Sequence, residues 1–190
     1  MNSFYTIDEL GAIGFRHLGG NIYVSRKASI YSAENISIGN NVRIDDFCIL
    51  SGNITLGSYI HIAAYTALYG GTSGIVVGDF ANISSRVCIY SVSDDYSGET
   101  MTNPMVPDQY KHVESAPVYI GRHAIVGSTS VILPGVTIAE GSAFGSFSFI
   151  NRDSEAWSLN VGIPFKKIKA RDRNALNLER NLFNEVELSS

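Results

Sequence analysis

Residues 120–138 read Ile-Gly-Arg-His-Ala-Ile-Val-Gly-Ser-Thr-Ser-Val-Ile-Leu-Pro-Gly-Val-Thr-Ile, and an aliphatic side chain returns at every sixth position, at Ile120, Val126, Ile132 and Ile138. The interval carries on to Phe144 and Ile150. Upstream it runs through Ile38, Ile44, Leu50, Leu56, Ile62 and Leu68, then, after a three-residue insertion, through Val77, Ile83 and Ile89. Four residues after each stands something small or branched: Val42, Cys48, Ile54, Ile60, Thr66, Ala81 and Val87, then Ala124, Ser130, Val136, Ser142 and Ser148. A period of six matches neither the 3.6 of an amphipathic helix nor the two of a simple strand. It matches a coil of short strands. If each unit is a flat strand plus a corner, three units close one triangular turn, and the aliphatic positions stack into a continuous interior. Glycine often follows the aliphatic residue, as in Ile38-Gly39, Leu56-Gly57 and Val126-Gly127, and small or glycine residues are expected to make the corners. An antiparallel sandwich would instead show turn clusters about every 8 to 12 residues and no strict sixes.

The 190 residues, 45% of them hydrophobic, suffice for one sizeable core. A formal charge of −4, from 14 basic and 18 acidic residues, gives no broad attraction to nucleic acid or anionic lipid. No apolar run reaches spanning length, so no membrane insertion is expected, and Met1–Leu10 lacks the basic and apolar regions of a secretory signal. Two cysteines, Cys48 and Cys88, are too few for a disulfide framework and suit a cytoplasmic location.

Working outward to the ends, Thr6-Ile7-Asp8-Glu9 reads as a capping box that opens a short helix through about Ile13. The glycines after His17 read as a joint, which gives an N-terminal helical segment at 1–23, a coil at 24–161 and a C-terminal segment at 162–190. In that last segment Ala175, Leu176, Leu178, Leu182, Phe183 and Val186 have the spacing of an amphipathic helix that covers the open end or a neighbour. Between Ile89 and Val118 the repeat stops, and a long loop at 90–117 leaves the coil. Its aromatics, carboxylates and histidine suit a polar acceptor pocket, since loops on rigid scaffolds carry function.

Residues 120–138 resemble the hexapeptide-repeat acyltransferases, and Gly162-Ile-Pro-Phe-Lys-Lys-Ile168 resembles the segment that follows the last coil in that family. The resemblance implies an all-β, left-handed parallel β-helix, a homotrimer with active sites between subunits, and acetyl-CoA as acyl donor, with no metal. Acyl transfer from a thioester needs a deprotonated nucleophile, a hydrogen-bond donor for the oxyanion and a slot for the pantetheine arm. By the same resemblance, Ser128, Ser146, Asn151, Arg152 and Lys169 fall where galactoside acetyltransferases contact CoA, and Lys166 and Lys167 add charge near its phosphates.

One position departs from the pattern. An ungapped reading of Asp79–Asp94 against the galactoside and maltose enzymes puts Asp94 where they carry a catalytic histidine. Two repairs follow. His61, at a corner that the family turns toward a neighbouring subunit's acceptor site, supplies the base in an intersubunit pair with Asp94. Alternatively the acceptor is an amine that needs no strong base, and Asp94 and Asp95 orient its ammonium form. Tyr96, Asn82 and His123 complete the expected acceptor pocket, while His112 lies in the loop.

The stretches Ile36–Gly52, His61–Gly71 and Ser93–Gly98 also resemble acyltransferases of polysaccharide and O-antigen synthesis, which include enzymes acetylating nucleotide-linked 4-amino-4,6-dideoxyglucose. The expected activity is therefore acetyl-CoA-dependent N-acetylation of a dTDP-linked amino sugar. The alternatives are O-acetylation of a galactoside or O-antigen sugar, and a non-catalytic β-helix scaffold. A γ-type carbonic anhydrase, on the same coil, needs three converging zinc-binding histidines, which the spacing of His17, His61, His112 and His123 does not offer.

Overall fold

The computed structural model describes residues 3–189, with side chains through 185, so the expected apolar contact of Val186 lies outside the described residues. Helix α1 spans Ile7–Ile13, and its capping box is formed: the Thr6 hydroxyl accepts from the Glu9 N–H while the Glu9 carboxylate accepts from the Thr6 N–H at 2.7 Å. Its one buried side chain is Leu10, and Gly14, at φ +85°, ends it in the left-handed conformation. The coil is entered earlier than position 24, because His17–Leu18 already pairs in parallel with Ser37–Ile38. The glycines read as a joint belong to this rung: a Cβ on Gly19 would sit 2.5 Å from the Gly39 carbonyl oxygen.

From there the chain winds as a left-handed parallel β-helix of about seven turns. One face stacks Ile22–Val24, Val42–Ile44, Ile60–Ile62, Asn82–Ile83, Ile125–Val126, Ala143–Phe144 and Ser158–Gly162. The other two faces share one sheet, since Ile49–Leu56 and Ala67–Val77 run unbroken around the corner between them. The register repeats the sequence period, with Arg43 beside His61 and Ile44 beside Ile62. Every six-fold position from Ile38 to Ile150 and every small or branched partner is buried. Each fully buried aliphatic side chain contributes roughly 1.5–3 kcal/mol. Inward hydroxyls are tolerated because each finds a corner carbonyl: Thr66 donates to Ser84 O at 2.9 Å and Ser148 to Gly145 O at 2.7 Å.

The corners differ from expectation. Two of them turn on non-glycine residues at left-handed φ: Asn41, Tyr59, Phe80 and His123 along one edge, and Phe47, Tyr65, Arg86, Thr129 and Phe147 along another, all between 57° and 63°. Such a conformation costs about 1–2 kcal/mol per residue. Side-chain stacking along the edge offsets it, with ring centroids 4.9 Å apart for Phe47–Tyr65, 4.7 Å for Tyr59–Phe80 and 5.1 Å for Phe80–His123. The neighbouring glycines serve close approach between rungs: a Cβ on Gly127 would lie 2.4 Å from the Ser146 nitrogen.

After the last full turn, Ser158–Gly162 folds back on Phe165–Ala170 as an antiparallel pair, and Phe165 packs edge-on against Phe144 at 5.0 Å. Helix α2, Ala175–Ser189, lies along the Tyr59–Phe80–His123 edge of its own coil rather than over the open end. Phe183 meets Tyr59 and Phe80 edge-on, and Glu179, only 7% exposed, pairs with Arg122 and accepts from His123 Nε2 at 2.8 Å. Arg122 Nε is buried there with no acceptor among the described residues. Leu178 and Leu182 point outward.

Candidate active site

The long loop is a structured excursion. It leaves at Ser91, whose buried hydroxyl donates to Gly70 O at 2.5 Å, and returns at Ala116, whose N–H donates to Ser91 O at 3.0 Å. Between them Val92–Asp94 pairs antiparallel with Val113–Ser115. Ser73 and Ser115 hydroxyls meet at 2.6 Å and fix this ribbon to the coil. Asp94, half-buried, therefore stands on a ribbon held at its base. Asp95, one residue on, has its carboxylate taken up locally: it accepts from the Ser97 N–H at 2.7 Å and from the Thr100 N–H and hydroxyl at 2.9 Å each. The Ser97 hydrogen bonds, then those from Thr100, hold its carboxyl well below the usual range, so Asp95 shapes the turn that presents Asp94. Tyr96, next in the chain, is 93% exposed.

His61 does not share a face with Asp94. It projects from the sheet containing Arg43 and Asn82, its neighbours on the rungs above and below. Within the chain its carboxylate partner is Asp45, whose Oδ2 accepts from His61 Nε2 at 2.7 Å while its Oδ1 accepts from Arg43 Nε at 2.7 Å. Burial pushes the Asp45 carboxyl up, but the His61 and Arg43 hydrogen bonds outweigh it and hold the group below its ordinary value. A carboxylate on Nε2 fixes the tautomer with a free Nδ1. His123 is elsewhere, 8% exposed beneath α2 and in contact with Phe80 and Glu179, where burial and then Arg122 lower its pKa.

The residues expected at CoA divide in two. Ser128 and Ser146 lie one rung apart on the Phe47–Phe147 edge, joined by the Phe147 N–H to Ser128 O bond, with the Ser85 hydroxyl 3.3 Å above Ser128. Asn151 and Arg152 lie on the next corner, and Lys166 and Lys169 on the final strand. Arg152 is engaged, donating to Phe165 O at 2.5 Å with its guanidinium 4.4 Å over the Phe165 ring. Lys167 pairs with Glu155, while Lys166 and Lys169 have no carboxylate partner among the described residues. Phe147, 63% exposed, borders the same edge.

Two features of the site lay outside the sequence expectations: Asp45, and a half-buried pair, Tyr69 and Tyr90, stacked at 5.2 Å on the face that leads into Asp94. Burial first, then the adjacent Cys88 thiol, pushes the Tyr90 hydroxyl up to about 12, so it stays protonated as a donor. The Cys48 thiol is a core group, pushed up to about 11 by burial.

No family model matches the chain. It is 48% identical over 174 residues, covering 90% of both chains, to a dTDP-4-amino-4,6-dideoxy-D-glucose acyltransferase of Escherichia coli. Among solved structures it superposes with a TM-score of 0.96, at 52% identity over 98% of this chain and 100% of the other, on AntD, an N-acyltransferase from Bacillus cereus in complex with dTDP and 3-hydroxybutyryl-CoA. The S84A variant of AntD, in complex with dTDP-4-amino-4,6-dideoxyglucose and coenzyme A, matches equally well over 97% of this chain and all of the other. With a relative this similar along nearly its whole length, and with the stacked coil on which the repeat was read, the chain belongs to the hexapeptide-repeat acyltransferases of the left-handed β-helix fold.

Proposed function

We propose that the protein transfers an acyl group from a CoA thioester to the 4-amine of a dTDP-linked amino-dideoxy sugar, with acetyl as donor, in the cytoplasm and for surface polysaccharide such as O-antigen. The observation that carries this reading is Asp94 on its braced ribbon, which by the resemblance read in the sequence falls where the O-acetylating galactoside enzymes carry histidine. A carboxylate is a poor base for a sugar hydroxyl but a good partner for an ammonium group. In the step, the ammonium first gives one proton to solvent, the free amine attacks the thioester carbonyl carbon and a C–N bond forms. The C–S bond then breaks, and the sulfur leaves as thiolate and takes up the proton released from nitrogen. Asp94 orients the amine. Ser128 and Ser146 line the pantetheine path, and Lys166 and Lys169 face the CoA phosphates, with Asn151 and Arg152 beside them.

A homotrimer fits this reading, because Arg43, Asp45, His61 and Asn82 project from one face of the prism, whereas Tyr69 and Tyr90 project from another, from whose end the ribbon carrying Asp94 departs. On this reading the two sets come together across a junction between copies. One observation favours O-acylation as a second reading: the Asp45–His61 pair is a built base of the kind a hydroxyl acceptor requires. Thiol release measured with acetyl-CoA and with 3-hydroxybutyryl-CoA, against dTDP-4-amino-4,6-dideoxyglucose, its 4-hydroxyl counterpart and a simple galactoside, separates the readings. Turnover with the amine alone supports N-acylation. Turnover with hydroxyl acceptors and none with the amine overturns it.

A further inference from the structure

The six-residue interval is broken twice, and the two breaks lie on neighbouring rungs. Between Leu68 and Val77 the chain gains three residues, in the stretch Tyr69-Gly-Gly-Thr-Ser-Gly74. One rung on, after Tyr90, it leaves the coil for the long loop, and register puts Tyr69 beside Tyr90. The first break is shaped around the second at three points. The Gly70 carbonyl accepts from the Ser91 hydroxyl at 2.5 Å, where the loop departs. The Ser73 hydroxyl meets that of Ser115 at 2.6 Å, where it returns. Between them Gly71 makes room for the Val92 side chain, since a Cβ on Gly71 would run into Val92 Cγ1.

Two conditions call for glycine at position 71. Its φ of +46° lies in the left-handed region, and the notch it leaves is the space that Val92 fills. The preceding rung is cut back to match: Gly52 pairs with Gly71, and a Cβ on Gly52 would sit 2.6 Å from the Gly71 nitrogen. The consequence reaches Asp94. Residues two apart in an extended strand point to the same side, so Val92 and Asp94 share one side of the strand Val92–Asp94. Seating Val92 in the notch therefore sets which way the Asp94 carboxylate faces. The Ser73–Ser115 bond holds the return strand, which pairs Val113 with Asp94. A ribbon held at one point could pivot, whereas one held at Ser91, Val92 and Ser115 cannot turn without breaking a contact.

We infer that the insertion Gly70–Gly74 is the seat that aims Asp94 at the acceptor amine, with Gly71 and Ser73 as positioning residues for acyl transfer that act through the ribbon. This rests on the proposed role of Asp94 and adds to it the residues that keep the carboxylate in place. A misplacement of about 1 Å at a reacting group costs on the order of a hundredfold in rate. A disturbed seat is therefore felt in kcat, and only where Asp94 is present to be misplaced.

The test measures kcat and KM for dTDP-4-amino-4,6-dideoxyglucose and for acetyl-CoA, with thermal melting alongside, in Gly71→Ala, in Gly71→Ala with Val92→Ala, and in Gly71→Ala with Asp94→Asn. Gly71→Ala is expected to lower kcat about ten- to a hundredfold with the KM for acetyl-CoA held. Adding Val92→Ala should restore most of that rate, because without Cγ1 the nearest atoms to the new Cβ are Ser91 Oγ at 3.5 Å and the residue 92 Cβ at 3.6 Å, ordinary contacts. In the Asp94→Asn protein the same Gly71→Ala change should cost nothing further. A wild-type kcat in Gly71→Ala, a loss that Val92→Ala leaves in place, or an equal loss with and without Asp94 overturns the seat. If Gly71→Ala does not fold, the hydroxyl pair decides. Ser73→Ala, Ser115→Ala and their double variant should each lower kcat by the same factor of about two to ten, and unchanged or multiplying rates overturn the inference. A wild-type rate in Asp94→Asn alone overturns the proposed role of Asp94, a result told apart because the seat is then untouched.

Discussion

At the scale of single residues, two acidic groups differ in how they are held. Asp94 sits on a ribbon whose base is bonded into the coil, whereas Asp45 sits on a rung and is already bonded to His61 and Arg43. Asp94→Asn is expected to lower kcat for the amine acceptor by about 10–100-fold, the loss of one charge-assisted hydrogen bond. His61→Ala and Asp45→Asn should lower it less than about tenfold if amine attack needs no imidazole base. Steady-state rates for the three variants check this, and a loss at Asp45→Asn as deep as at Asp94→Asn would show that the reaction needs the Asp45–His61 dyad as a base. The sequence made Asp94 visible through a departure from a pattern. Asp45 was hidden for a geometric reason: the period reports inward side chains, and the His61 partner is an outward neighbour on the diagonal of the preceding turn. Coil arithmetic alone could have found it, since Arg43 and His61 are adjacent and Asp45 is two places from Arg43. Tyr69 and Tyr90 escaped for the same reason, each one place past an inward aliphatic residue, Leu68 and Ile89.

At the scale of elements, α2 is held by chemistry more than by its apolar stripe. Leu178 and Leu182 face outward, while the buried Glu179 joins Arg122 and His123, and Arg171 donates to the His123 carbonyl at 2.8 Å. Glu179→Ala should cost about 1–3 kcal/mol, the penalty for leaving buried polar partners unmade, and should speed amide exchange in residues 175–185 specifically. Unchanged exchange there would show that Phe183 alone docks the helix. The same contact carries a pH dependence. Burial, then Arg122, lowers the folded pKa of His123, so the unfolded chain takes up its proton at a higher pH than the folded one. Its contribution is present above the unfolded imidazole value of about 6.5 and is lost as the pH falls through the folded value. Melting temperatures from pH 8 to 5 should therefore drop more in wild type than in His123→Asn, and parallel curves would count against it. The apolar spacing from Ala175 to Phe183 announced this helix but not its orientation, because the residue that anchors it is charged.

At the scale of the whole molecule, the prism was legible because each turn repeats its neighbour, so one interval read along 120–138 gave the stacking of every rung. What the interval could not give was the turning of the corners on Tyr, Phe, Arg and His, which depends on stacking between turns and not on local preference. Nor could it give how such a stack is brought to a stop. Its final rung, Ser158–Gly162, is met by the reversed strand Phe165–Ala170, which carries Lys166, Lys167 and Lys169 along its length. A solenoid without that strand would offer bare backbone to the next molecule, and prisms could add end to end as a growing fibre. The reversed, lysine-bearing strand makes addition run the wrong way and brings like charges together, so the polymer is refused at its seed.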